Sequence, residues 1–101
     1  MPNLSITTTA ADVFFGTDRL TAVAFKNGST TGIIYLRYKP QTSAEVSSTS
    51  YEWSLRAGDA VGFTLANDGT GIIGPWRAIS DTVGGVTLEI IAVYAGASRD
   101  E

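Results

Sequence analysis

The sequence predicts an all-β chain, a single-domain antiparallel β-sandwich of about seven or eight short strands. Three observations carry this. Runs of β-branched and aromatic residues recur along the chain, separated by clusters of Gly, Asn, Asp and Ser. No long window sustains a helical period. A chain of 101 residues, 44% of them hydrophobic, is enough for one core and too short for two. Strand signals alone leave the sheet topology open between a jelly roll and an immunoglobulin-like sandwich.

Residues 1–10 (MPNLSITTTA) read as an extended N-terminal arm, in which Ile6 is followed by Thr7, Thr8 and Thr9. The arm is too polar for a core and too β-prone for a flexible linker, so it is expected to add to a sheet edge on a neighbouring subunit or on a larger protein shell. The sandwich domain covers 11–96, and 97–101 form a frayed tail. Within the domain, 19–26 (RLTAVAFK) is a strand that ends at Asn27-Gly28, a hairpin signal because both residues tolerate positive φ. The return strand is 32–38 (GIIYLRY), followed by a polar exposed loop, 40–50, in which Val46 is a short edge contact.

Residues 51–55 (YEWSL) alternate, placing Tyr51, Trp53 and Leu55 on one face. Gly58-Asp59 turns the chain into a strand at 61–65, and Asn67-Asp68-Gly69 marks a second tight turn. Residues 71–79 (GIIGPWRAI) form a strand interrupted by Gly74-Pro75; because proline lacks the ladder donor, it is expected at an edge or a bulge. Trp53, in phase with Leu55, is expected in the core, and Trp76 is expected to be exposed. Gly84-Gly85 leads into the last strand, 86–94 (VTLEIIAVY), which is apolar on both faces. Such a strand is central in its sheet or covered by a neighbouring subunit, through Ile91 and Val93.

Composition excludes several classes of function. Seven basic and ten acidic residues give a net charge of −3, and the cations are scattered, so neither nucleic acid nor an anionic membrane is an expected partner. Cysteine is absent, which removes disulfides, thiolate metal sites and cysteine nucleophiles. The N-terminus lacks the basic start and apolar centre of a signal peptide, and no stretch nears the roughly 18 apolar residues of a transmembrane helix.

The stretch LRAGDAVGF (55–63) is similar to turns of metal-binding cupin barrels, but histidine is absent from the whole chain, so no imidazole can hold a metal. Without histidine, neither a Ser–His nor a Cys–His pair can be built. A glycosidase-like carboxylate pair would need Glu52, Asp59, Asp81 or Glu89 to face one cleft about 5–10 Å apart. The strand alternation points Glu52 and Glu89 away from the core. ANDGTG (66–71) lacks the oxygen ligands of a calcium loop, and no catalytic residue, metal or cofactor is expected. The aromatic residues offer the positive sign of binding, Trp76 above all.

Taken in order, RLTAVAFKNGSTTGIIYLRY, YEWSLRAGDAVGF and GVTLEIIAVYAG resemble small β-sandwich virion proteins of tailed bacteriophages. The likeness covers residues 18–96 and excludes Gly74-Pro75-Trp76 and the arm. It implies a structural protein on the capsid exterior, synthesised in the host cytoplasm, most concretely a capsid decoration (cement) protein. The implied partners are the phage major capsid protein and further copies of the chain, a trimer favoured over a dimer. Contact would run through Ile6, Thr7, Thr8, Thr9, Trp76, Ile91 and Val93. The alternative is a carbohydrate- or receptor-binding module of a tail appendage.

Overall fold

The computed structural model describes residues 3–38 and 45–95. Eight strands follow one another: β1 (Asn3–Ile6), β2 (Ala11–Phe14), β3 (Leu20–Asn27), β4 (Ile34–Tyr38), β5 (Trp53–Leu55), β6 (Ala60–Thr64), β7 (Trp76–Ser80) and β8 (Val86–Tyr94). A single helical turn, α1 (Leu65–Asp68), and a 3-10 turn (Thr70–Ile73) lie between β6 and β7. The strands form two antiparallel sheets, in the orders β1-β8-β3-β6 and β2-β7-β4-β5.

The pairing is nested. β1 pairs with β8, β2 with β7, β3 with β6 and β4 with β5. The chain is therefore one long antiparallel hairpin, folded over so that the β3–β8 and β4–β7 ladders complete the two sheets. This is the jelly-roll solution, in which the immunoglobulin-like alternative has no part. Inward residues of both sheets meet in one core: Leu20, Val23 and Phe25 from β3, Leu88 and Ile90 from β8, Ile34 and Leu36 from β4, and Trp76 and Ala78 from β7. The last strand has the predicted bounds, 86–94, and is central, hydrogen-bonded on both edges.

Several expectations are corrected. The arm belongs to the chain's own sandwich: β1 pairs from Asn3↔Glu89 to Ile6↔Val86, and Ile6 is only 4% exposed. The outer edge of β8 would otherwise carry unpaired ladder groups, and β1 supplies their partners. Thr7, Thr8 and Thr9 form the crossing from one sheet to the other, tied down where Ser80 N–H donates to Thr7 C=O at 2.8 Å.

Asn27-Gly28 does not make a hairpin. β3 and β4 lie in different sheets, and the positive φ falls on Gly32, at +90°. The corner's polar groups pair sideways instead. Asn27 N–H donates to Asp59 C=O at 2.9 Å, Gly58 N–H to Asn27 C=O at 3.0 Å, and Gly28 N–H to Thr87 C=O at 2.9 Å. The fully buried Asn27 amide donates to Gly32 C=O (3.1 Å) and Leu55 C=O (3.0 Å) and accepts from Ser29 N–H (3.0 Å). One side chain thus binds the β3–β4 corner to the β5–β6 corner, where Gly58 has the expected left-handed backbone, φ +83°.

Residues 71–79 are not one interrupted strand. The first part is the 3-10 turn, and β7 starts at Trp76, between β2 and β4 in the interior of its sheet. Pro75 precedes the first ladder residue, so the sheet lacks no donor there. Asn67-Asp68-Gly69 belongs to α1, where the Thr64 hydroxyl accepts from Asn67 N–H (3.2 Å) and the Asp68 carboxylate from Thr64 N–H (2.9 Å). This reciprocal capping stabilises a turn too short to persist alone. Tyr51 lies before β5, exposed, with its ring 4.9 Å from that of Tyr35. Val46 is buried at 2% exposure, next to an isolated bridge between Ser47 and Ser50. Residues 40–44 of the polar loop and the tail, 97–101, lie outside the described residues.

Two stability predictions follow from these contacts. Ile6→Ala should destabilise the isolated protein by about 3 kcal/mol in urea unfolding; an arm reserved for a partner would leave stability unchanged. Asn27→Ala should cost about 3 kcal/mol, because it orphans the carbonyls of Gly32 and Leu55. Asn27→Asp should be worse at neutral pH, since a carboxylate would face both.

Candidate binding cleft

Trp76, expected to be exposed, is buried, and Trp53, expected in the core, packs against it half-buried. Trp76 is 2% exposed, and its indole N–H donates to Ile72 C=O at 2.9 Å. Its ring lies 5.0 Å from Phe25 and Phe63, which belong to one sheet, and 5.4 Å from Tyr38 and Trp53, which belong to the other. Trp53 also meets Phe63 edge-on at 4.7 Å but remains half-buried. The Gly-Pro flank imitates an exposed loop in sequence, while the nested topology places Trp76 between the sheets.

Above this cluster opens a cleft of about 280 Å³, lined by Tyr38, Trp53, Phe63, Asp68, Gly71, Ile72 and Trp76. Each element contributes for a local reason. Tyr38 ends β4 and Trp53 begins β5, both facing the space between the sheets. The turns between β6 and β7 bring Asp68 and Gly71 to the mouth. A Cβ at Gly71 would sit 3.4 Å from the Tyr38 ring, so the glycine keeps that side open. Asp68 is the lining carboxylate, and Glu52, Asp59, Asp81 and Glu89 line no part of the cleft. Among the described residues, no three His, Cys, Asp or Glu side chains converge to hold a metal ion. Sequence reasoning missed Trp53 and Asp68 as cleft residues, because only tertiary packing brings α1 beside the start of β5.

The two outer sheet faces differ in character. On the face of β2-β7-β4-β5, Arg77 stands opposite Arg37, and Arg77 is bridged to Glu45 at 2.6 Å and Asp12 at 2.9 Å. The hydrogen bonds it donates to Glu45 and then to Asp12 hold its pKa above even the usual arginine range. Arg37 donates to the Ser50 hydroxyl. On the face of β1-β8-β3-β6, Ala24 lies between Gly62 and Ile91, and Ala22 between Thr64 and Val93. Ile91 and Val93 are 55% and 52% exposed, and charge returns only in the row of Lys26 and Glu89. Of the residues expected at a contact, Ile91, Val93, Thr8 and Thr9 are exposed, whereas Ile6 and Trp76 are inside the core and have no surface to offer.

Comparison with protein-family models, with curated proteins and with solved structures finds no match.

Asp81 ties β4 to the end of β7. Its carboxylate accepts from Ile33 N–H at 2.9 Å and from the Thr82 hydroxyl at 2.9 Å, and the Ile33 bond leads in holding its pKa below the ordinary 3.8. A lowered folded-state pKa adds stability that is complete above the unfolded value and is lost as pH falls through the folded one. The Tm of Asp81→Asn should therefore lie below that of the wild type at neutral pH, and the gap should close in scans taken below pH 3.8.

Proposed function

We propose that the chain is a structural protein of a tailed-phage virion, a capsid decoration subunit that binds the outer shell and associates with its own copies, as a trimer in preference to a dimer. The observation that carries this reading is the bare outer face of β8 and β3. A sheet face of Ile91, Val93, Ala22, Ala24 and Gly62 has no use for water, and its apolar side chains suit contact with another protein surface. The opposite sheet face carries the doubly bridged Arg77 and remains compatible with solvent.

The likeness to phage sandwich proteins and the absence of histidine and cysteine support a role in which surface complementarity replaces chemistry. The contact residues under this proposal are Ile91 and Val93, with Thr8 and Thr9 at the sheet crossing.

Light scattering across a hundredfold concentration range tests self-association, and co-sedimentation with capsids lacking decoration tests shell binding. The expected result is a stable mass of three times 10.6 kDa together with capsid binding. Ile91→Glu should weaken both by at least about tenfold with little change in Tm, because its side chain lies outside the core. A monomer that ignores capsids would overturn the proposal.

A further inference from the structure

We propose that the cleft between Tyr38 and Trp53 binds a neutral pyranose ring of a glycan, with Trp53 and Tyr38 as its walls and Asp68 as its hydroxyl acceptor. This inference does not depend on the virion placement, because the cleft opens between the sheets and uses none of the residues of the bare outer face.

The arrangement of rings comes first. Tyr38 and Trp53 each lie 5.4 Å from Trp76, on neighbouring strands, so Trp76 and Ile72 form a floor and the two half-buried rings stand above it. The faces of such rings carry negative potential, which suits the weakly positive C–H face of a sugar. A volume of about 280 Å³ is at the small end of the range for ligand sites, matching one ring rather than a buried chain.

The polar inventory selects the ligand class. Among the described residues the Trp53 indole N–H and the Tyr38 hydroxyl have no hydrogen-bond partner, and neither is shut away from solvent. Asp68, which lines the cleft, uses one carboxylate oxygen to cap Thr64 N–H, which leaves the other available as an acceptor. The site therefore presents a donor, a donor-acceptor and an acceptor around apolar ring faces. A polyhydroxylated ring can pair with all three, since each hydroxyl both donates and accepts.

A quaternary ammonium ion fits less well. It would satisfy Asp68 alone and leave the indole N–H and the phenol without partners. The rings Trp53, Phe63 and Trp76 also lie 4.7 to 5.4 Å apart, in contact with one another rather than spread around a central cation.

The chain has two tryptophans, so its ¹⁵N spectrum should show two indole N–H signals, one bonded to Ile72 and one free. Methyl glucoside, methyl galactoside, methyl mannoside and N-acetylglucosamine would each be titrated to about 50 mM, with tetramethylammonium chloride as the cationic comparison. The expected result is saturable movement of the Trp53 signal with at least one sugar, at a Kd on the order of 1–10 mM for so small a ligand, and less movement of the Trp76 signal. Asp68→Ala should weaken that binding by about tenfold or more. Trp53→Phe keeps a ring in place but removes the donor, and it should also weaken binding, read from the Tyr38 ring resonances. The proposal is overturned if no sugar moves the Trp53 signal, if tetramethylammonium alone moves it, or if sugar binding is unchanged in Asp68→Ala.

Discussion

The indole of Trp76 occupies the space where the two sheets face each other at one end of the sandwich. Phe25 and Phe63 reach it from one sheet, and Tyr38 and Trp53 from the other, while its single polar atom is satisfied by Ile72. Edge and tilted contacts of this kind add about 0.5–1.5 kcal/mol each beyond the area they bury. The cleft depends on the same ring: Trp76 supplies the floor, and its width holds Tyr38 and Trp53 in the positions from which they can touch a ligand. Stability and the candidate site thus rest on one side chain that is almost wholly buried.

The corners of a jelly roll raise a separate difficulty. Nearly every connection crosses between sheets, so the residues at each crossing leave one ladder before joining the next. Their backbone groups still need partners. Asn27 meets this demand inside the core by offering an amide with two donors and an acceptor, and Ser80 does the same at the β1–β2 crossing, where its hydroxyl donates to Ile6 C=O. Both are buried polar residues in a mostly apolar interior, and both are fully bonded, which is the condition under which such groups specify a fold.

The two outer faces suggest how one small domain can serve two surfaces. A sheet whose solvent side presents Ala22, Ala24, Gly62, Ile91 and Val93 beside its Lys26–Glu89 row gains by being covered over that apolar part, whereas the bridged Arg77 on the other sheet is best left wet. The cleft lies between these faces, at the end of the sandwich. Shell contact and ligand contact would then use different residues and need not compete.

Local chemistry was enough to determine the all-β class, the single domain, the closing strand at 86–94, the left-handed corner at Gly58 and the lack of histidine- or cysteine-based catalysis. Each depends on residue type or on neighbours within a few positions. The tertiary structure alone decided the jelly-roll order, the inclusion of β1, the burial of Trp76 and the assembly of the cleft. These depend on strands far apart in the chain, β1 with β8 and β4 with β7, whose pairing no local pattern encodes. Asn27-Gly28 shows the limit: a strong turn signal fixed where the chain bends, but the partners of Asn27, at Gly32, Leu55 and Asp59, decided that it bends across to the other sheet rather than back along its own.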